Sequence, residues 1–296
     1  MLRGLSAFPL TPITNNNVDE AAFVHLITNL VAAGVDSIGA VGSTGSYAYL
    51  TRDERRRVAE LAVQHAEGIP VLVSIGAIRL DDVLAIAEDA QRAGVKAVMM
   101  APVSYQRLTA EEVYTLYETV TRHLSVPLCL YDNPATTGFA FTDDLLVEIA
   151  ALPAVSSIKL SAVSTDPTKG KERLDDLRAR IPASVTIGIS GDWQAATGFA
   201  AGCDVWYSVI GGLFPQVSLA LTRAARAGNH RLTGELSDQL EPLWQLFRIH
   251  RSLRVMAAAA EIMGVVGPSC LPFPLRPLAG EDKEHLHAVL KSTGLV

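Results

Sequence analysis

The sequence has few cysteines and no recognisable metal-binding motif. Its 296 residues include three cysteines, Cys129, Cys203 and Cys270, which lie far apart. Cysteines that are few and odd in number do not form the disulfide framework of a small secreted domain, so we expect them to be reduced and buried. The seven histidines include no His-Glu-x-x-His pair. The sequence therefore predicts no metal site.

Long apolar segments and an excess of basic residues are also missing. Residues 1–6 contain no continuous apolar signal segment, and no uninterrupted apolar run is long enough to span a bilayer. The formal net charge of -6 gives no reason to expect a nucleic acid or an anionic membrane as a partner. We therefore expect a cytoplasmic enzyme or binding protein.

The chain does contain a regular alternation of apolar strands and amphipathic helices. Its composition, 49% hydrophobic and 19% charged, suits a protein with a sizeable core. Three helical segments end in the same kind of junction, in which a glycine (Gly34, Gly94 or Gly202) precedes an apolar strand. Such alternation is typical of a parallel sheet covered by helices. The predicted strands cover residues 5–10, 35–41, 69–75, 95–101, 126–131, 155–161, 184–189 and 203–209.

Eight strand–helix units predict a closed (β/α)₈ TIM barrel over residues 1–228. An open doubly wound sheet is the alternative, but the glycine-rich dinucleotide turn that usually opens such a sheet is absent. Residues 229–296 differ, since they contain consecutive helical segments at 230–250, 252–263 and 281–291 and a proline-rich link at 272–277. We assign them to a C-terminal helical domain.

One lysine lies at the end of a strand that otherwise contains apolar and small residues. Lys159 belongs to the predicted strand 155–161. A buried ammonium group is costly, so this lysine is at the rim, paired or neutral. A neutral lysine at the mouth of an apolar pocket is a nucleophile that can form a Schiff base with a ketone. The plain alternative is a lysine at the end of a strand that reaches solvent.

Two further polar signals fall at predicted strand ends, where barrel enzymes collect their reactive groups. Tyr131 closes the strand before that of Lys159, so the two should lie side by side, and a phenol beside an amine can exchange the protons that carbinolamine chemistry requires. The Gly-Ser-Thr-Gly turn at 42–45 offers N–H groups and hydroxyls that suit a carboxylate. Taken singly, the turn is an ordinary strand-to-helix connection and Tyr131 a core tyrosine.

Together, and in this order, the motifs resemble those of the dihydrodipicolinate synthase / N-acetylneuraminate lyase family. The resemblance covers essentially the whole chain. It rests on Ala7–Pro12, Gly42-Ser43-Thr44-Gly45, Tyr131-Asp132-Asn133-Pro134, Thr137-Gly138, Ile158-Lys159 and Ser190-Gly191-Asp192. It implies a barrel with a C-terminal helical domain, usually assembled as a homo-oligomer (a homotetramer, or a dimer). It also implies Schiff-base chemistry on pyruvate or another 2-oxo acid, which needs no cofactor because the imine is itself the electron sink.

The resemblance further implies roles for individual residues. Lys159 is similar to the Schiff-base lysine of the family and Tyr131 to its proton donor and acceptor. Ser43 would stand in the hydroxyl relay, and Thr44 with Gly45 would hold the carboxylate of the 2-oxo acid. The other expected substrate-binding residues are Tyr207, Gly191 and Tyr105.

Four positions depart from the family pattern. Ser104 stands where the synthases usually carry a tyrosine that is lent across a dimer interface. Thr136 stands where an arginine usually binds the carboxylate of the semialdehyde substrate, so a charge-assisted bidentate contact is lost. Ser46 and Leu160 replace two frequent glutamates.

We therefore predict a Schiff-base-forming lyase or aldolase that acts on pyruvate or another 2-oxo acid together with an aldehyde. The alternative within the family is dihydrodipicolinate synthase itself, which condenses pyruvate with aspartate semialdehyde in lysine biosynthesis. The alternative from another class is a catalytically silent protein that binds a 2-oxo acid.

Overall fold

The computed structural model describes residues 2–296 and contains a closed barrel of eight parallel strands. Each strand pairs with the next along the chain, and the last pairs with the first. The predicted (β/α)₈ barrel is confirmed, and the open sheet is wrong. The strands are β1 (Gly4–Ala7), β2 (Ser37–Ala40), β3 (Val71–Ser74), β4 (Ala97–Met100), β5 (Leu128–Tyr131), β6 (Val155–Leu160), β7 (Thr186–Ile189) and β8 (Val205–Ser208).

The first strand is shorter than predicted, and a hairpin follows it. β1 ends at Ala7, and the chain then leads into two short antiparallel strands, Ile13–Thr14 and Asn17–Val18. The turn between them places Asn15 and Asn16 at φ values of 52° and 60°. Asparagine tolerates this left-handed conformation better than most residues do. The sequence pattern of this segment does not predict the hairpin.

Eight helices cover the outside of the barrel, and local capping explains where they begin and end. The Thr51 and Thr109 side chains form capping boxes at two helix starts, and the three glycine junctions take left-handed C-cap conformations that favour glycine. The helices are α1 (Glu20–Ala33), α2 (Arg52–His65), α3 (Leu80–Ala93), α4 (Ala110–Thr121), α5 (Asp143–Ala150), α6 (Pro167–Arg180), α7 (Ala195–Ala201) and α8 (Pro215–Arg226).

Four helices follow the barrel: α9 (His230–Gln239), α10 (Glu241–His250), α11 (Ser252–Ile262) and α12 (Gly280–Ser292). The single helix predicted over 230–250 is wrong. It is broken at Leu240 because Pro242, in the first turn of α10, has no N–H with which to continue the hydrogen bonds of α9. Leu243 and Leu286 belong to the same buried cluster as the barrel helices, so the boundary at residue 229 stays a prediction.

The core has an outer and an inner layer, and the inner layer positions the site. Apolar residues between strands and helices form the outer layer. Alternate strand residues point into the barrel, where Leu72, Met99 and Val205 pack with aromatic side chains. In the part of the chain that the structure describes, no helix is long and apolar enough to cross a bilayer.

Candidate active site

Lys159 and Tyr131 meet at the carboxyl ends of β6 and β5. The two residues are Cα partners in the strand register, and the Asp132 N–H donates to the Lys159 carbonyl at 3.0 Å. Both side chains belong to the set that points into the barrel. The predicted side-by-side placement of the phenol and the amine is confirmed.

The amine of Lys159 is buried among aromatic rings. The residue is 4% exposed, and its Nζ lies 4.0 Å from the ring centroid of Phe8 and 4.1 Å from that of Tyr131. Burial lowers the pKa of Lys159 to about 7, although the neighbouring Cys129 and Asp192 act in the opposite direction. A large fraction of this amine is therefore neutral near pH 7.

The hydroxyl of Tyr131 has three polar neighbours. It accepts a hydrogen bond from Asn133 Nδ2 at 2.9 Å and is hydrogen-bonded to the Ser43 and Ser190 side chains. Burial raises the pKa of Tyr131 to about 12. The phenol is therefore protonated at neutral pH and able to give a proton. Ser43 lies beside it, as expected for two members of one relay.

The turn after β2 is tightly built and leaves few free donors. The Ser46 N–H donates to the Ser43 carbonyl at 3.1 Å. A Cβ atom at Gly45 would lie 2.9 Å from Thr11 Oγ1 and 3.1 Å from the backbone of Val41, so only glycine fits there. Thr44 follows Ser43 at this mouth of the barrel and is buried.

The hydroxyl of Tyr207 lies on the amino-terminal side of Lys159 inside the barrel, away from the barrel mouth. The ring centroid of Tyr207 is 5.4 Å from Lys159 Nζ, but its hydroxyl turns into the barrel, 2.6 Å from Ser157 Oγ. Cys129 Sγ donates to the same hydroxyl at 3.4 Å, and Thr186 Oγ1 donates to Ser157 Oγ at 2.8 Å. The hydroxyl is thus engaged beneath the amine, and contact of Tyr207 with substrate stays a prediction.

The other two expected substrate-binding residues lie in different surroundings. Gly191 follows β7, where a Cβ atom would lie 3.1 Å from the Ser161 carbonyl. The next residue, Asp192, is buried and accepts hydrogen bonds from Trp206 Nε1 and the Ile210 N–H, each at 2.8 Å. Burial raises its pKa to about 6. Tyr105 is 90% exposed, so its role in binding also stays a prediction.

Several residues around the amine were not found from the sequence. Phe8 is the nearest ring to Lys159, and Cys129 and Ser157 lie beneath it. Cys129 and Ser157 each stand two positions before a predicted site residue, Tyr131 or Lys159. Because alternate residues of a strand share a face, this spacing was a usable signal.

Ser104 and Thr136, two of the four departures from the family pattern, lie in different local surroundings. Ser104 Oγ donates to the Gln106 carbonyl at 2.5 Å, and Thr136 is exposed in the single helical turn Pro134–Thr137. A buried guanidinium lies elsewhere at this end of the barrel, where Arg55 donates to the carbonyls of Ser74 and Gly76 at 2.6 and 3.1 Å. Within residues 2–296, no group of three or more His, Cys, Asp or Glu side chains is placed to hold a metal ion.

A buried amine beside a phenol, at the carboxyl ends of barrel strands, defines the class of (β/α)₈ barrel proteins that carry a lysine nucleophile in the barrel. Comparisons with known proteins agree with this class. The profile of the Dihydrodipicolinate synthetase family matches residues 1–293. The chain therefore belongs to the dihydrodipicolinate synthetase family, and it is an enzyme of the lyase class.

Relatives and solved structures match over nearly the full length. The 4-hydroxy-tetrahydrodipicolinate synthases of Bartonella bacilliformis and Thiobacillus denitrificans are each 29% identical, over 100% and 99% of this chain and 99% and 98% of theirs. The crystal structure of a dihydrodipicolinate synthase from Agrobacterium tumefaciens is 42% identical with a TM-score of 0.94, covering 98% of both chains. A monomeric dihydrodipicolinate synthase variant, 24% identical, has a TM-score of 0.90 over 100% of this chain and 98% of its own, and shows the fold alone.

Proposed function

We propose that this enzyme forms a Schiff base between Lys159 and a 2-oxo acid such as pyruvate, and that the resulting enamine adds to, or is released from, an aldehyde. One observation carries the proposal: a lysine with a pKa lowered to about 7 lies beside a buried, protonated tyrosine at the barrel mouth. Neutral amine and phenolic proton are the two reactants that imine formation requires.

The protons balance if Tyr131 moves them, with Ser43 in the relay. The Lys159 lone pair forms a bond to C2, and the carbonyl oxygen takes the Tyr131 proton and becomes a hydroxyl group. The phenolate then takes a proton from the nitrogen and returns it to the hydroxyl group, which leaves as water and yields the iminium. Finally the phenolate takes a proton from C3, and the neutral enamine forms. Ser43, hydrogen-bonded to Tyr131, would pass protons to and from the phenol between these steps.

The carboxylate of the 2-oxo acid is assigned to the turn after β2. The N–H groups of Ser46 and Tyr47 are used inside this turn, so the hydroxyl and N–H of Thr44 and the N–H of Gly45 are the donors proposed for it. Gly191 would leave room for the substrate on the opposite rim. No metal or organic cofactor enters the proposed scheme.

The identity of the aldehyde separates two candidate reactions. The names of the relatives favour the alternative, dihydrodipicolinate synthase with aspartate semialdehyde as the second substrate. Thr136, in the place of the family's arginine, favours the broader reading of an aldolase or dehydratase of 2-oxo sugar acids. If the second substrate is aspartate semialdehyde, its carboxylate would need a cationic side chain from elsewhere in the assembly, because Thr136 carries no charge.

The test has two stages. Incubation with pyruvate and borohydride, followed by mass mapping, should place the added mass on Lys159 and on no other lysine. Lys159→Ala should abolish it, and Lys169→Ala, in an exposed position, should not. Turnover is then measured with pyruvate plus aspartate semialdehyde and with a panel of 2-oxo sugar acids. Failure to trap Lys159 refutes the Schiff base, and trapping without turnover on any substrate favours the silent binding protein.

We also propose that the enzyme is a homo-oligomer of two or four chains in the cytoplasm. Exposed apolar side chains follow three consecutive strands, β2 to β4: Tyr49, Ile78, Leu80 and Tyr105. Exposed apolar side chains on neighbouring loops support contact with a second copy. The oligomeric state is tested by sedimentation of the wild type and of Ile78→Asp. A wild-type protein that is monomeric at micromolar concentration contradicts the proposal.

A further inference from the structure

Three aromatic rings surround the amine of Lys159. Its Nζ lies 4.0 Å from the ring centroid of Phe8, 4.1 Å from that of Tyr131 and 5.4 Å from that of Tyr207. Phe8 and Tyr207 also contact each other edge to face, with centroids 6.1 Å apart and ring planes at 77°. A cation within about 6 Å of a ring centroid is attracted by the negative face of the ring. We call Phe8, Tyr131 and Tyr207 the aromatic cage.

The barrel makes room for Phe8 through glycines on the neighbouring strand. A Cβ atom at Gly39 would lie 2.3 Å from the Phe8 ring, and one at Gly42 would lie 2.6 Å from it. The ring therefore lies directly against the backbone of β2 and the turn after it. Phe8 is 2% exposed, and its N–H donates to the Ser208 carbonyl at 2.9 Å. The ring is thus packed against the backbone of β2, and the main chain of Phe8 is fixed by its hydrogen bond to β8.

Tyr207 is held in two ways. A Cβ atom at Gly188 would lie 2.6 Å from Tyr207 Cε2, so the glycine on β7 leaves the space that the ring occupies. The hydroxyl of Tyr207 is hydrogen-bonded to Ser157, which in turn accepts from Thr186. Cys129 donates to the same hydroxyl. These contacts anchor the ring from below.

Burial alone poses a problem for the proposed chemistry. It favours the neutral amine that attacks the ketone, but it disfavours the iminium, which carries a positive charge at the same nitrogen. Aromatic faces stabilise a cation without accepting a proton from it. The side chain of Phe8 has no polar atom, so its only electrostatic contribution to the iminium is through the face of its ring.

We propose that the aromatic cage stabilises the iminium on Lys159, and that the Phe8 and Tyr207 rings act on this intermediate directly through their negative faces. The inference rests on the proposed function, since it concerns the same nitrogen. The step it assists is the loss of water from the carbinolamine: the carbon–oxygen bond breaks, the oxygen leaves with a proton from Tyr131, and the nitrogen lone pair forms the second bond to carbon.

Fluorinated phenylalanines at position 8 provide the sharpest test, because each added fluorine weakens the negative ring face with little change of shape. The apparent affinity for pyruvate in imine formation is measured from the dependence of the initial rate of borohydride trapping on pyruvate concentration at pH 9, where the amine is largely neutral. The logarithm of the apparent affinity should fall steadily with the number of fluorines. Loss of the ring in Phe8→Leu should weaken the affinity between about two- and thirtyfold. An affinity that does not change along the series overturns the proposal.

The pH dependence of trapping separates the cage from simple packing. Since the rings also stabilise the ammonium form, Phe8→Leu and Tyr207→Leu should lower the pKa of the amine. Loss of packing that lets water reach the amine would raise it. Tyr207→Phe keeps the ring and loses only the anchor, so its affinity should lie between those of Tyr207→Leu and the wild type.

Phe23→Leu is the matched control, because Phe23 is fully buried in α1 but lies in the outer layer. It should leave both the affinity and the pH profile unchanged. An amine pKa that rises in Phe8→Leu contradicts the cage even if affinity falls. If the wild type is not trapped at Lys159, the proposed function itself fails. If the wild type is trapped and the fluorinated series is flat, only the cage fails.

Discussion

Replacement of Lys159 by methionine should stabilise the folded protein. Burial lowers the pKa of Lys159 from 10.5 to about 7, whereas the unfolded chain gives the amine its ordinary value. A difference of one pKa unit corresponds to about 1.4 kcal/mol. The folded enzyme therefore carries a penalty of about 5 kcal/mol when both states are protonated. Lys159→Met removes this penalty and keeps a side chain of similar length.

The sign of the pH dependence follows from which state binds the proton. Below about pH 7 the amine is protonated in both states, and the full penalty is present. Between about pH 7 and pH 10.5 the unfolded chain binds the proton and the folded protein does not, so wild-type stability rises by about 1.4 kcal/mol per pH unit from this group. The advantage of Lys159→Met should therefore shrink as the pH rises, and disappear above pH 10.5.

Urea unfolding of both proteins, at one protein concentration and at pH 6, 7, 8 and 9, measures this difference. The gap in unfolding free energy should narrow by about 2 kcal/mol between pH 7 and pH 9. Lys169→Met, at an exposed position in α6, is the control and should show no such trend. A gap that does not depend on pH, or a wild type more stable than Lys159→Met at pH 6, refutes the claim that this amine is destabilised by burial.

Three further substitutions test the neighbourhood of the amine. Tyr131→Phe should lower turnover by about 100-fold or more and slow borohydride trapping of Lys159, since the proton donor for imine formation is lost while the nucleophile remains; equal turnover contradicts its role. Gly188→Ala should lower the unfolding free energy by about 1–3 kcal/mol and weaken trapping, because its Cβ atom would lie 2.4 Å from Val205 Cγ1 and 2.6 Å from the Tyr207 ring; an unchanged urea midpoint contradicts it. Burial raises the pKa of Asp132 to about 6, so the wild type should lose about 1–2 kcal/mol of stability as the pH rises from about 4 through 6, after allowance for solvent screening. Asp132→Asn should not lose stability over this pH range. Parallel pH profiles of the unfolding free energy for the variant and the wild type would contradict the prediction.

Helix ends and strand order could be predicted because they depend on neighbouring residues in the chain. Asp19 directly precedes α1, and its side chain accepts from the Ala22 N–H at 3.0 Å. Gly34 was predicted to end the same helix and has φ 74°. Such contacts span a few residues, so the sequence pattern contains all their partners. The adjacency of Tyr131 and Lys159 also followed, once consecutive strands were placed side by side.

The surroundings of the amine could not be predicted in the same way. Phe8 is 151 positions from Lys159 in the sequence, and the hydrogen bond between Tyr207 and Ser157 joins residues that are 50 positions apart. Such contacts depend on how the closed barrel brings distant strands together and on which strands carry glycine. A single segment of the sequence shows neither property. The break at Leu240 is not visible in the apolar periodicity of residues 230–250, and only Pro242, which has no N–H, marks it in the sequence.

The same burial has opposite consequences for the two forms of the nitrogen that the proposed reaction needs. A dry, apolar barrel interior favours loss of the lysine proton by several pKa units, but it would equally disfavour the iminium that follows. A carboxylate beside the nitrogen would stabilise the iminium, yet it would also hold the proton on the amine and raise its pKa. Asp192 exerts a weak effect of this kind, and its oxygens are occupied by Trp206 and backbone N–H groups. Aromatic rings offer a weaker attraction that leaves the amine pKa near 7, which is the compromise a lysine nucleophile requires at neutral pH.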